Sequence, residues 1–244
     1  MSVALADFFA QMQPFLTGAQ DLARTREALG PSPSGDDDFA FYRVLAERNL
    51  FKIMRELYGP LRTLVLRDDP ERWAPLVRAY ARAHPPGGHH PNCFGEALSD
   101  FLAAQREQQP EQPVLYEELA DFLWIRQAVY AAPDGEGDGF DRRLFVRQYT
   151  HRVHDLAVAL ERDPQAPVPA PQPMLLLVYR HFRSLQTRLF QPSAAGLVAL
   201  ARRQGAPVPE PLQAIPADHV EQAAAQLVAH RVLAPPPSPA PPRP

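Results

Sequence analysis

The chain has 244 residues, 45% hydrophobic and 22% charged, with one cysteine and a formal net charge of −3. This is an ordinary globular composition with room for one large core or two smaller ones, and a lone cysteine excludes an internal disulfide framework and fits a reducing compartment. The opening "MSVALADFFAQMQPFL" has no basic leader and no later apolar run is long enough to cross a bilayer, so a cytoplasmic protein without a membrane partner is expected.

The near-neutral total conceals a change of sign. Residues 1–140 hold 13 Lys+Arg against 21 Asp+Glu, a net of −8, whereas residues 141–233 hold 11 against 7, a net of +4. Ten arginines fall between Arg142 and Arg203 with only three acids among them. That predicts a basic surface on the second half and an anionic partner, peptide or nucleic acid. A solvated surface in a chain that uses Arg almost wholly in place of Lys would give the same count.

In chain order, "GPSPSGDDD" (30–38), "PDGEGDG" (133–139), "DPQAPVPAPQP" (163–173) and the tail "APPPSPAPPRP" (234–244) read as connections. Before 133 the apolar spacing is helical. "DDFAFYRVLAERNLFKIMRELYG" opens with Asp37 or Asp38 as N-cap, sets Phe41, Val44, Leu45, Phe51, Met54 and Leu57 near one face, and ends at Gly59. "DPERWAPLVRAYARAH" starts at Asp69 with Pro70 in the first turn and repeats Trp73, Leu76, Val77 and Tyr80 at helical spacing. "CFGEALSDFLAAQRE" and "PVLYEELADFLWIRQAVYAA" add two helices, the second apolar enough from Phe122 to Ile125 to lie centrally.

After Gly139 the texture changes. "RRLFVRQYTHRV" is rich in β-branched and aromatic residues and reads as a strand, and "MLLLVYRHFRSLQTRLF" as two strands folded back at His181 to Ser184. Pro192 and Ser193 open the helix "PSAAGLVALARRQG", which stops at Gly205, and "ADHVEQAAAQLVAHRVL" is the last helix. The expectation is an α+β protein. A helical bundle over 1–135 precedes a small module of winged-helix-like proportions over 140–233, with a disordered Pro-rich tail over 234–244.

One segment invites a metal. "HPPGGHHPNC" (84–93) brings together His84, His89, His90 and Cys93. His89 or His90 with Cys93 has workable local spacing, but a zinc site needs a second pair, and none exists. Pro85, Pro86, Gly87, Gly88 and Pro91 account for the segment as a stiff turn between helices, with Asn92 or a neighbour as the next cap. His151 and His154, on opposite faces of an extended strand, read as surface histidines. The acids Asp36, Asp37 and Asp38 suit the start of a helix. There is no Gly-rich phosphate loop, Walker motif, nucleophile elbow or zinc-protease helix. Cys93 has no partner for nucleophilic work and reads as a buried or inert thiol. The residues alone support an enzyme poorly, a stand-alone metalloenzyme at His89, His90 and Cys93 being the form it would take.

A basic module of this size could read DNA, with Arg180, Arg183, Arg188, Arg202 and Arg203 as its cations. Its last two helices, however, are dominated by alanine, which is weak equipment for base readout. The same module could take an extended peptide on a sheet edge supplied by "LLLVYRHFRS", with main-chain bonds for affinity and arginines for acidic side chains.

The motif "FYR" (41–43), then Trp73, Leu76, Tyr80, His84 and Pro85, then "ELADFLWIRQAV", resembles the HvfC/BufC family over about residues 39 to 233. These are partner proteins of multinuclear non-heme iron oxidative enzymes in peptide natural-product pathways, and their N-terminal helical domain carries a DNA-binding label. The stretch "LLLVYRHFRSLQTRLFQPSAAGLVALARRQG" is similar to the family's C-terminal module, which resembles domains that hold the leader of a precursor peptide. The resemblance implies a non-catalytic partner protein with no metal or cofactor of its own, iron residing in the enzyme that it serves. It implies a peptide site at Leu175, Leu177, Tyr179 and Arg180, with strand addition along Leu175 to Arg180, and with Arg183 and Arg188 meeting acidic leader residues. Nucleic acid is then an unlooked-for partner, and a DNA-binding regulator is the alternative. Residues 1–38 and the Pro-rich tail have no counterpart in the resemblance.

Overall fold

In the computed structural model, which describes residues 5–30, 35–87, 91–133 and 142–234, the chain is α+β, with ten helices and a three-stranded antiparallel sheet among the described residues. Cα packing divides it into two units, Met1–Trp124 with Val153–Pro169, and Ile125–Arg152 with Ala170–Pro244. The sequence suggests one break at 133–139, a segment largely outside the described residues. Each unit is built from two stretches of the chain.

The first unit is helical. α1 (Leu5–Leu16) and α2 (Leu22–Leu29) precede every element expected from the sequence. Met12 and Phe15 of α1 close over Phe39 at the start of α3 (Asp36–Leu57), and the Phe15 and Phe39 rings meet edge to face at 6.2 Å. Neither Asp37 nor Asp38 is the N-cap of α3. Gly35 holds that position at φ 104°, so Asp37 and Asp38 fall in the first turn, where negative charge suits the positive end of a helix.

α3 also corrects the expected core face. Phe41 and Val44 are 59% and 52% exposed, while Phe39 and Met54 are buried. At about 100° per residue, Phe41 and Val44 lie across the helix from Phe39, Leu50, Met54 and Leu57. The six apolar residues expected on one face therefore lie on two opposite sides of the helix.

Tyr58 closes α3, and Pro60 starts α4 (Gly59–Asp68) at a position where its missing N–H costs nothing. In α5 (Trp73–Ala83) the expected stripe of Trp73, Leu76, Val77 and Tyr80 is buried. α6 (Leu98–Gln108) and α7 (Val114–Ala131) follow, α7 passing into the second unit after Trp124, and Arg106 of α6 grips Glu117 of α7 through two bonds of 2.9 and 3.0 Å. The unit is completed by α8 (Val153–Arg162), which packs on α4 and buries Val153, Leu156, Ala157 and Leu160. The strand expected over 142–153 ends at Tyr149, and Val153 opens this helix instead. Its i, i+3, i+4, i+7 apolar spacing was present in "VHDLAVALER".

In the second unit, β1 (Leu144–Tyr149), β2 (Met174–Arg180) and β3 (Thr187–Phe190) pair in the order β1-β2-β3, with Leu144 opposite Tyr179 and Leu177 opposite Phe190. The chain folds back between β2 and β3 where expected, with Leu185 at φ 57°. α9 (Ala194–Gln204) has the expected stops: Ser193 accepts from the Gly196 amide at 3.1 Å, and Gly205 ends the helix in the left-handed region at φ 71°. Together with α10 (Ala217–Ala229), it covers Leu144, Leu177 and Tyr179 on one face of the sheet.

Candidate peptide-recognition surface

The sheet order relocates the expected peptide edge. β2 is the central strand, bonded along its length to β1 and from Leu177 to Arg180 to β3 as well. A peptide cannot add to Leu177–Arg180, because both rows of main-chain groups there are already used. Nor are the side chains available: Leu177, Tyr179 and Arg180 are buried and Leu175 is half-buried. An unbroken apolar run such as "MLLLVY" is what a strand covered on both faces requires. Its hydrophobicity therefore reports a core position and not an open edge.

Tyr179 donates its hydroxyl to the His230 carbonyl at 3.0 Å, and burial raises its pKa although Arg188 and Arg143 lie near enough to oppose the shift. Arg180 points back to the end of α7, where Nη1 donates to the Ala132 carbonyl and, at 3.4 Å, to that of Tyr130. Arg143 is a second buried arginine that the charge count treated as surface. Its Nη1 donates to the Arg180 carbonyl at 2.7 Å and its Nη2 to the Val232 carbonyl at 3.0 Å, while Cζ sits 3.5 Å from the centre of the Phe182 ring. Both arginines serve the fold. Nothing in their sequence neighbourhood separates them from the exposed ones.

Arg183 and Arg188 are exposed, as a binding role needs. Arg188 lies within β3, an edge strand among the described residues, and Arg183 in the turn before it. The His181 amide donates to the Gln186 carbonyl at 2.9 Å, and alternation from that pair turns the amides and carbonyls of Thr187 and Leu189 away from β2. Leu189 is 40% exposed beside them. Arg188 is held by the Gln186 side chain at 2.9 Å. β1 is the other edge: the Arg180 amide donates to the Arg143 carbonyl at 2.8 Å, which leaves the main-chain groups of Leu144, Val146 and Gln148 outward. Only the β3 edge has the expected arginines next to it.

The α9 and α10 surfaces offer less to DNA. Ala199, Ala224 and Val228 floor a groove of about 660 Å³, with Arg202 and Arg203 confined to the end of α9. Base readout would need polar side chains along the helix.

The histidine-rich turn is structural where it is described. His84 stacks on Tyr80 with 5.2 Å between rings, and Pro91–Gly95 form a 3₁₀ turn. Tyr58 donates to the Gly95 carbonyl at 2.7 Å and Tyr80 to that of Phe94. His89 and His90 lie outside the described residues. Asn92 caps no α-helix, because α6 starts at Leu98 with Ala97 before it. Cys93 is exposed and not buried, since Phe94 and Gly95 take the inward positions of the turn. His151, expected on the surface, is buried with Nδ1 2.8 Å from the Thr150 hydroxyl, and His154 belongs to α8. Among the described residues no three His, Cys, Asp or Glu side chains converge as a metal site, and no helix is long and apolar enough to cross a membrane.

No protein-family model matches the chain, and no curated protein matches it significantly.

Proposed function

We propose that the chain is a non-catalytic partner of a multinuclear non-heme iron oxidative enzyme, holding the leader of a ribosomally made precursor peptide and presenting the remainder for modification. The observation that supports this best is the open edge of β3, where the outward main-chain groups of Thr187 and Leu189 lie beside the exposed Arg183 and Arg188. An extended leader adds to this edge as a fourth strand. Its carboxylates meet the two guanidinium groups through charge-assisted bonds. Chemistry stays with the iron of the enzyme. Tethering raises the local concentration of the modifiable residue to about the millimolar range, so the leader sets specificity without contributing to the reaction.

The test uses the full chain and a fluorescent synthetic copy of the acidic leader of a candidate precursor peptide. Reversing both charges (Arg183→Glu with Arg188→Glu) should weaken binding about tenfold or more. Leu189→Pro removes an N–H that the sheet itself does not use, so it should weaken the peptide while leaving the fold intact. Unchanged affinity in both variants would take β3 out of the mechanism. Co-purification of the tagged chain with the neighbouring iron enzyme tests the partner role. Iron that stays with the enzyme when the two are separated is the expected result, and iron retained by this chain alone would overturn it.

A further inference from the structure

The helical unit carries a ridge that its described residues leave uncovered. At about 100° per residue, Phe41, Val44, Arg48, Lys52 and Arg55 fall along one side of α3, away from the buried Phe39 and Met54. The first turn of this ridge is apolar and the next two are cationic. Arg48, Lys52 and Arg55 line an open cleft of about 730 Å³ with Arg62 of α4 and Trp73 of α5. Among the described residues the one carboxylate lining the cleft, Glu47, is already paired with Arg78. Lys52 has a loose 3.9 Å contact with Glu56, and Arg48, Arg55 and Arg62 have no carboxylate partner among the described residues.

This arrangement runs against the charge of its surroundings. Residues 1–140 carry a net −8, yet four cations gather here with no spare carboxylate among the residues that line the cleft. Arg48 and Lys52 are an i, i+4 pair and Lys52 and Arg55 an i, i+3 pair of like charge, spacings at which such groups repel on a helix. An anionic surface laid on the ridge would relieve that repulsion. The same surface must also cover Phe41, Tyr42 and Val44, all exposed.

We propose that this ridge docks an acidic, partly apolar face of a folded protein, which, resting on the partner role proposed above, is the iron enzyme. Arginine forks pair with carboxylates two bonds at a time, and aromatic residues beside arginine are the usual anchors of protein interfaces. A nucleic acid fits less well. Its charge extends far beyond the screening length of about 8 Å and would meet the acids that dominate the rest of the unit. A protein face with a few carboxylates and an apolar centre matches the ridge without that conflict.

The experiment is recovery of the co-expressed neighbouring iron enzyme on the tagged full chain, wild type against Arg48→Glu with Arg55→Glu. Reversal should lower recovery about tenfold or more, and the milder Arg48→Gln with Arg55→Gln should move it in the same direction by less. All these side chains are exposed, so thermal unfolding should match wild type and confirm that each variant folds. Recovery by wild type that neither variant alters overturns the ridge and leaves the partner role standing. Failure of wild type to recover the enzyme overturns the partner role and the docking surface with it. Retention of a random-sequence DNA duplex by wild type but not by the reversed variant gives the ridge to nucleic acid and overturns the proposal.

Discussion

The hydroxyl of Tyr58, the residue that closes α3, lies 2.7 Å from the carbonyl oxygen of Gly95 and donates to it inside the helical unit. The approach is close enough to dictate the residue on both sides. A Cβ placed on Gly95 would stand 2.8 Å from that hydroxyl and 2.9 Å from a Leu57 methyl, so glycine is needed here for space and not for backbone conformation. Gly95→Ala should destabilise the protein by about 1–3 kcal/mol through overpacking. Tyr58→Phe should cost about 1–3 kcal/mol by leaving a buried carbonyl without its donor. Urea unfolding of the two single variants and the double variant checks this. Because both changes act on one contact, the double variant should lose less than the sum. Strict additivity would mean that the contact does not couple the two residues.

Tyr58, Tyr80 and Tyr116 together predict a stability loss at alkaline pH. Burial holds Tyr58 well above its ordinary pKa and raises Tyr80 to about 12, while Tyr116 is raised first by burial and then by its 2.7 Å bond to Asp68. In the unfolded chain a tyrosine ionises near pH 10. Above that pH the unfolded state has released protons that the native state still holds, so stability falls as pH rises from about 10 toward 12. Below it these groups add no slope. The urea midpoint should therefore drop between pH 9 and pH 11 while tyrosinate absorbance lags behind that of the denatured chain. A midpoint that stays level through pH 11 would contradict the burial of these hydroxyls.

Arg143 should be the most sensitive arginine of the second unit. Its guanidinium spans the Arg180 and Val232 carbonyls and lies on Phe182, so it ties the start of β1 to the β2–β3 turn and to the chain after α10. Lysine keeps the charge but lacks the planar fork, and Arg143→Lys should cost about 2–3 kcal/mol. Arg183→Ala, on the exposed turn, should stay within about 0.5 kcal/mol of wild type. Thermal melts of the two variants compare them directly. Equal melting temperatures would mean that Arg143 is not a structural tie.

Local chemistry made several elements legible in the sequence alone. The Trp73, Leu76, Val77, Tyr80 stripe, the Ser193 cap, the Gly205 stop and the fold-back after Arg180 depend on residues a few positions apart, and they stand where the sequence places them. The helix of Val153–Arg162 also has its period in the sequence, at Val153, Leu156, Ala157 and Leu160, directly after residues of strand composition. The candidate site was only half legible. Arg183 and Arg188 are exposed beside an edge, whereas Leu177, Tyr179 and Arg180 are buried in the middle strand.

That division has one physical origin. Hydrophobic period, caps and turn residues act through the local backbone, so the sequence by itself determined which segments become helix or strand and that the chain is α+β. Strand order and the choice of buried helix face depend on contacts between segments far apart in the chain. An apolar strand has the same composition whether β3 or solvent lies beside it, and an arginine reads the same whether its fork meets water or the carbonyls of Arg180 and Val232. Only the tertiary structure decided that β2 is closed, that β3 is open and that Phe41 faces outward.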